Sequence, residues 1–301
     1  KLCEHTQRGR LLLTSRHMPP GLAAWLEDVP LLPLSWAETR KMILRLPALA
    51  GREGADLSVI LTRIGGHPRM LEYLDALLRG GRGRLPEIRA RLEAQARSAG
   101  VAIDQRPADL DEAIARSLRL GAHDVLLSEL LALAGPEEAA ALRQAAVSNL
   151  PIPVAGVAHA LQDHPASSSA IEAPRHTLER LAALSLVVFT GPDEVFVHRW
   201  TGQCLLEPGP GLEEVARLAF HARAGRYRLW RAREETHDIA DGMEAVRNLL
   251  QAQHYEAAAQ ETLTITGFLT GVHQLAAAGG FAGEVARLLP PTSPDYSAIL
   301  D

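Results

Sequence analysis

The side chains best suited to metal binding or nucleophilic catalysis are twelve histidines and two cysteines. Their spacing shows neither the His-Glu-x-x-His pair of zinc enzymes nor the Gly-x-Ser-x-Gly turn of hydrolases. His159 and His164 lie near a predicted helix end, where a pair of surface histidines is favoured over metal ligands. Neither Lys1 nor Lys41 follows a glycine, so the phosphate-binding loop Gly-x-x-x-x-Gly-Lys-[Ser/Thr] is absent. The sequence therefore predicts no independent catalytic centre and no metal site.

Composition narrows the class of protein. The chain has 301 residues, of which 47% are hydrophobic and 22% charged, and this length predicts two or more domains. Aromatic residues make up only 4% while alanine and leucine dominate, which predicts a mostly helical fold. A net charge of -5 argues against a protein that coats nucleic acid. No apolar run reaches the roughly 18 residues of a membrane span, and two cysteines fit a cytoplasmic location.

The opening hundred residues predict an α/β remnant followed by a helical bundle. Residues 10–14 (Arg-Leu-Leu-Leu-Thr) are typical of a strand buried on both faces of a parallel sheet. Arg16 follows the carboxyl end of this strand, although an ordinary surface arginine also fits there. A capping box from Ser35 to Glu38 predicts a helix to about Leu46, and Pro68 is placed to begin another. We assign residues 1–50 to the α/β remnant and 51–106 to a small helical domain, and we expect a missing N-terminal portion because Lys1 is preceded by no Met.

A different pattern covers residues 107–206. Helices are predicted at 109–120, 123–134, 136–148, 154–162 and 176–184, with a Ser- and Ala-rich loop at 164–174. Apolar runs at 186–189 and 195–198 flank the turn residues Gly-Pro-Asp, which predicts a hairpin. Three helices followed by a two-stranded hairpin describe a winged-helix domain, and an α+β bundle with an incidental hairpin is the alternative.

Residues 207–301 predict helical, tetratricopeptide-like repeats. Short segments at 224–227, 252–255 and 278–281 each place an aromatic residue after small or polar residues, and each is predicted to end one helix and begin the next. The aromatic recurs at Tyr227, Tyr255 and Phe281, a shorter period than the roughly 34 residues of tetratricopeptide repeats. Such repeats stack because one helix pair cannot bury its apolar face alone.

Four segments, in order, resemble motifs of the STAND-class NTPases, the group that includes plant resistance proteins and animal NOD-like receptors. Residues 11–16 (Leu-Leu-Leu-Thr-Ser-Arg) resemble the family's strand and arginine, and residues 31–38 (Leu-Leu-Pro-Leu-Ser-Trp-Ala-Glu) its Leu-x-x-Leu-Ser-x-x-Glu helix entry. Residues 65–71 (Gly-Gly-His-Pro-Arg-Met-Leu) resemble its Gly-x-Pro motif. Residues 197–199 (Val-His-Arg) resemble its Met-His-Asp motif, with Val in place of Met and Arg in place of Asp. The strong Arg over Lys bias suggests a bacterial source.

The resemblance implies nucleotide-binding roles for three residues. Arg16 would bind the terminal phosphate, as a guanidinium beyond the carboxyl end of a parallel strand can do bidentately. Pro68 would pack on adenine. The alternative is that it is an ordinary proline at the first position of a helix, with no ligand. His198 would contact the β-phosphate of ADP with one ring nitrogen while the fold holds the other. The alternative is that His198 has only a structural role. Whether Arg199 replaces the family's acidic residue functionally stays open.

The function implied is the regulatory part of a nucleotide-gated switch, closed with ADP and open with ATP, with a repeat sensor at its C-terminal end. The resemblance implies that the parent protein is an ATPase. ATP or ADP with Mg²⁺ would be its cofactor, and this chain alone would bind neither tightly. We expect a protein or peptide ligand at the repeats, self-association of the activated parent, and no nucleic acid or membrane partner. Two alternatives are a winged-helix transcription regulator, reading DNA through the helix at 176–184 with Arg175, His176 and Arg180, and a repeat scaffold.

Overall fold

The computed structural model describes residues 34–64, 67–79, 83–98, 122–162, 168–207 and 212–291, together with Tyr296 and Ile299. The predicted strand at 10–14, Arg16 and the predicted helix at 109–120 lie outside these residues. Across the described part of the chain the protein is mostly helical, which confirms the prediction from composition.

The described helices and strands follow the chain in a simple order. The helices are α1 (Trp36–Ile43), α2 (Ala55–Ile64), α3 (Pro68–Leu78), α4 (Leu85–Ser98), α5 (Ala122–Ala132), α6 (Pro136–Ala146), α7 (Val154–Gln162), α8 (Ser168–Ala183), α9 (Arg199–Leu206), α10 (Glu214–Glu234), α11 (Ile239–Gln251), α12 (Tyr255–Gly271) and α13 (Leu275–Ala286). The strands are β1 (Ile152–Pro153), β2 (Val188–Phe189) and β3 (Glu194–Phe196).

The chain divides into two compact units, and the division falls inside α3 after Leu71. The first unit holds the described residues up to Leu71 and from 83 to Val125, and the second holds residues 72–79 and those from Leu126 onward. The boundaries predicted from sequence, at 50, 106 and 206, stay predictions.

In the first unit, local sequence signals produce the expected elements. The capping box of α1 is confirmed, because the Glu38 amide donates to Ser35 Oγ at 3.2 Å and the Ser35 amide donates to Glu38 Oε2 at 2.7 Å. Buried apolar side chains of α2 and α4, among them Ile60 and Leu92, form the core of this unit. Pro68 is the first residue of α3, as predicted.

The second unit contains a small sheet that packs against α6 and α7. The strands lie in the order β1-β3-β2 and all pair antiparallel, with Ile152 opposite Val195 and Val188 opposite Phe196. The predicted hairpin is confirmed, but β1 was not predicted. The predicted loop at 164–174 is wrong from Ser168 onward, because α8 begins there and runs through Pro174. The alanines of this segment favour a helix, and the helix continues through Pro174 although an interior proline removes one backbone donor and crowds the preceding turn.

The four helices α10 to α13 form an array in which each helix packs on the one before it. The predicted repeat boundaries at 224–227 and 278–281 are wrong, because these segments lie in the middle of α10 and α13, and only 252–255 joins two helices. Gly225 explains the first error. In the sequence this glycine is typical of a helix end. In the structure it lies where α11 approaches α10 so closely that an added Cβ would be 3.0 Å from Leu249 Cγ.

Three helices of the second unit end in the same way. Ser185, Gln253 and His273, which follow α8, α11 and α12, have φ angles of 57°, 62° and 61°. The amide of the next residue donates to a leucine carbonyl five positions earlier, at 3.0, 2.9 and 2.7 Å respectively. This bond is typical of the Schellman motif, in which a residue in the left-handed region closes the helix.

Candidate functional site

The three residues proposed to bind nucleotide do not form one described site. Arg16 lies outside the described residues. Pro68 belongs to the first unit and His198 to the second, so each is described with its own neighbours. Pro68 is half-buried beside His67, which is buried, and the His67 carbonyl accepts the amide of Met70 at 3.2 Å.

His198 lies between the hairpin and a helix. The strand β3 ends at Phe196, Val197 is buried, and His198 is the N-cap of α9. Its Nδ1 accepts a hydrogen bond from the backbone amide of Trp200 at 3.3 Å, while the residue as a whole is exposed. A ring nitrogen that accepts carries no proton, so the proton of the neutral imidazole is on Nε2. This hydrogen bond therefore favours the tautomer with its proton on Nε2.

The electrostatic surroundings of His198 favour an anion. Arg199 is the first residue of α9 and is exposed. The first amides of a helix lack acceptors within that helix, and the helix dipole adds a partial positive charge at this end. An imidazole N–H, a guanidinium and a helix N-terminus thus occur within two successive residues.

The helix α9 is held firmly by buried contacts. Tyr73 from α3 and Thr201 from α9 are both fully buried, and their hydroxyl oxygens are 2.6 Å apart. The rings of Tyr73 and Trp200 stack with centroids 6.2 Å apart. On the other side, an added Cβ at Gly202 would be 3.1 Å from the carbonyl oxygen of Ala146, so α6 approaches closely. His198 therefore caps a helix whose position is set by two neighbours.

The basic side chains of α8 are engaged by acidic groups. Arg175 forms an ion pair with Asp193 in the hairpin turn, and its Nη1 donates to the Pro192 carbonyl at 3.1 Å. Arg180 is 2.8 Å from Glu138. His176 pairs at 3.2 Å with the glutamate three residues later in the same helix. The cations predicted for DNA reading are therefore already paired within the protein.

An aromatic cluster of the buried Tyr227 and the half-buried His159 and Trp230 joins α7 to α10. The His159 ring stacks on Trp230 with centroids 5.1 Å apart and lies 5.3 Å from the ring of Tyr227. His159 is half-buried with its ring against α10, and His164 lies outside the described residues, so the predicted surface pair stays a prediction. Burial raises the pKa of the Tyr227 phenol to about 12.

Sequence reasoning missed a buried charge at the junction of the sheet and the array. Arg228 of α10 is only 2% exposed, and its Nη1 donates to Asp241 Oδ1 of α11 at 2.5 Å. Its Nη2 lies within 2.7 Å of Ser148 Oγ, 2.8 Å of the Pro151 carbonyl and 3.3 Å of the Leu150 carbonyl. The signal in the sequence was its spacing, because position 228 shares one helical face with the apolar residues at 220 and 224.

A second buried group supports the same junction. The carboxylate of Glu244 is fully buried and accepts the backbone amide of Asn149 at 2.6 Å. Asn248 Nδ2 donates to the Glu244 carbonyl at 3.0 Å, and Asn248 Oδ1 is 2.9 Å from His221 Nδ1. Burial lowers the pKa of His221, and the hydrogen bond to Asn248 opposes that shift. The segment before β1 is thus tied to both α10 and α11.

Among the described residues, no three His, Cys, Asp or Glu side chains are grouped so that they could hold a metal ion. None of the helices in that part of the chain combines the length and apolarity needed to cross a membrane. Comparison with protein-family models, curated proteins and solved structures finds no match to this chain.

Proposed function

We propose that this chain is the regulatory part of a STAND-class signal-transduction ATPase. The observation that carries the proposal is His198, whose Nδ1 accepts the Trp200 amide at the exposed start of α9, directly after the hairpin. A histidine held by one ring nitrogen at a helix N-terminus suits contact with a phosphate, because the start of a helix favours anions.

The order of elements supports the same proposal. The helices α6, α7 and α8, the strand β1 between α6 and α7, and the hairpin β2–β3 follow the order expected of a winged helix, with β1 beside β3. The resemblance places the phosphate-binding histidine at the end of that hairpin, which is the position of His198. The helical array α10 to α13 that follows would be the sensor.

In the proposed mechanism, the chain's own residues read the state of the nucleotide. His198 donates its Nε2 proton as a hydrogen bond to the β-phosphate of ADP, and Arg199 adds a positive charge beside it. Arg16 would bind the terminal phosphate of ATP, and Pro68 would pack on adenine. The sequence contains no Gly-x-x-x-x-Gly-Lys-[Ser/Thr] loop, so in this proposal the chain binds nucleotide only weakly on its own. The switch works only if ADP and ATP bind the closed and open states with different affinity.

Nuclear magnetic resonance of the histidine-labelled chain tests this proposal. ADP and inorganic pyrophosphate, at millimolar concentration, should shift the Nε2 resonance of His198, and AMP should do so far less because it lacks a β-phosphate. His198→Asn should abolish the shift while keeping the helix cap, since asparagine is a good N-cap residue. His176→Asn, at an exposed histidine of the same unit, is the matched control and should change nothing. An equal response to AMP, or none at His198, would contradict the proposal.

The paired cations of α8 weigh against DNA binding. A DNA reader needs several unpaired cations, and its affinity falls steeply with salt. Arg175 and Arg180 would first have to leave Asp193 and Glu138. Fluorescence anisotropy with labelled duplex DNA should therefore show no binding at about 0.15 M salt. Specific, salt-dependent binding that is lost in Arg175→Ala would restore the transcription-regulator alternative.

A partner-binding role for the array rests on its exposed apolar side chains. Phe268 is 60% exposed on α12 and Leu275 is 64% exposed on α13. Residues 262–283 contain no Asp, Glu, Lys or Arg, so a ligand there would be held by apolar contact. We propose a protein or peptide ligand with an uncharged face, self-association of the activated parent, and a cytoplasmic location. Peptides selected from a displayed library on the wild-type chain should lose binding to a Phe268→Ser, Leu275→Ser variant.

A further inference from the structure

The junction between the array and the sheet is built around one buried arginine. The Nη2 of Arg228 donates to two successive carbonyls, those of Leu150 and Pro151, which stand immediately before β1. The Nη1 of the same guanidinium is anchored to Asp241 in α11. Arginine remains charged at every accessible pH, and its planar fork can hold several acceptors at fixed angles. Arg228 therefore joins three pieces of chain: α10, α11 and the segment before β1.

The strand that follows this segment continues the connection towards His198. In the pairing of β1 with β3, Ile152 lies opposite Val195 and Pro153 opposite Glu194. The first amide of α7, that of Val154, donates to the Asp193 carbonyl at 2.8 Å and fixes the start of β3. β3 ends at Phe196, two residues before His198. A displacement of residues 148–151 would therefore move β1, and with it β3, the strand that leads to His198.

We propose that Arg228 is a positioning residue for His198. It acts through the Leu150 and Pro151 carbonyls and the β1–β3 pairing, so that the arrangement of α10 and α11 sets where the imidazole stands. Glu244 adds a second anchor from α11, because its carboxylate accepts the Asn149 amide at 2.6 Å. A ligand that changed the packing of α10 on α11 would then change the position of His198. That such a movement would control the binding of a phosphate rests on the nucleotide role proposed above.

The test separates position from stability by removing both charges. Arg228→Met alone would remove the nearest partner of the buried Asp241 carboxylate and leave it Arg231 at 3.3 Å and Thr236 Oγ1 at 3.0 Å, which is destabilising, whereas removing both partners of a buried pair is often tolerated. The decisive variant is therefore Arg228→Met with Asp241→Leu. Arg233→Met with Glu261→Leu is the matched control, because Arg233 lies on the same helix and pairs at 2.7 Å with the buried Glu261 carboxylate inside the array. Arg228→Lys keeps the charge but loses the fork that spans the carbonyls.

Two readouts are measured on each variant. The first is the His198 ring resonance without nucleotide. It should shift or broaden in the Arg228→Met, Asp241→Leu variant and in Arg228→Lys, and stay unchanged in the Arg233→Met, Glu261→Leu control. The second is the affinity for ADP, which should fall about tenfold in the Arg228→Met, Asp241→Leu variant if the binding-competent position drops to about a tenth of the population. If the wild-type chain does not bind ADP, the nucleotide role is refuted. The His198 resonance still decides whether Arg228 positions His198. A folded Arg228→Met, Asp241→Leu variant, or a folded Arg228→Lys variant, with the wild-type His198 resonance would overturn the proposal.

Discussion

The hydrogen bond between Tyr73 and Thr201 offers a quantitative test of how α9 is held. Both residues are fully buried, their oxygens are 2.6 Å apart, and the bond joins segments far apart in the chain. Tyr73→Phe or Thr201→Val alone leaves the other hydroxyl buried without this partner, which costs about 1–3 kcal/mol of unfolding free energy. Replacing both hydroxyls by apolar groups of the same shape costs little more than either change alone. We therefore expect a coupling free energy of about 1 kcal/mol or more.

Urea unfolding of the four proteins in this cycle gives the coupling. Tryptophan fluorescence is a suitable probe because Trp200 stacks on Tyr73, and circular dichroism checks that both signals report the same transition. Thr262→Val is the matched control, because that buried hydroxyl bonds to the Ala258 carbonyl within its own helix. Its effect should add to that of Tyr73→Phe. If the effects of Tyr73→Phe and Thr201→Val also add to within about 0.5 kcal/mol, the bond does not hold α9 to α3.

Three further changes test the packing and the buried histidine. Gly156→Ala should lower stability by about 2 kcal/mol or more, because the added methyl would overlap the buried Tyr227 ring, and chemical denaturation measures the loss. The same substitution at Gly267, where an added Cβ meets nothing within 4 Å, should instead raise stability by up to about 1 kcal/mol. Because burial lowers the pKa of His221, the unfolded chain takes up its proton first as the pH falls. The His221 contribution is therefore complete above the ordinary histidine pKa near 6.5 and is lost as the pH falls from there towards the lowered native value. His221→Asn should flatten that part of the stability profile, and an unchanged slope would contradict the assignment.

The sequence predicts those elements whose signals are local. The capping box at Ser35, the proline start of α3 at Pro68 and the turn residues of the hairpin each act within a few positions, and each lies where expected. The strand β1 was not predicted because Ile152 and Pro153 form no alternating pattern. These two residues form a strand because they pair with β3, which is distant in sequence.

The site was less predictable because its packing is non-local. The spacing of Arg228 puts it on the apolar face of α10, but only the fold shows that Asp241 and two carbonyls surround it. The capping role of His198 depends on the helix beginning at the next residue, while the sequence indicated only the end of a hairpin. For Gly225, the same residue type suits a helix end or a close helix contact, and only the position of α11 decides between them.

The helix ends at Ser185, Gln253 and His273 are positions where substitution can raise the stability of this chain. Each places a side chain in a conformation that glycine adopts at lower cost, so each native residue holds the fold below its attainable stability. After the greater freedom of glycine in the unfolded chain is subtracted, glycine at each position would gain up to about 1 kcal/mol. A background carrying all three replacements would tolerate destabilising substitutions elsewhere. Variants of Arg228 or Tyr73 that unfold in the native background could then be studied as folded proteins.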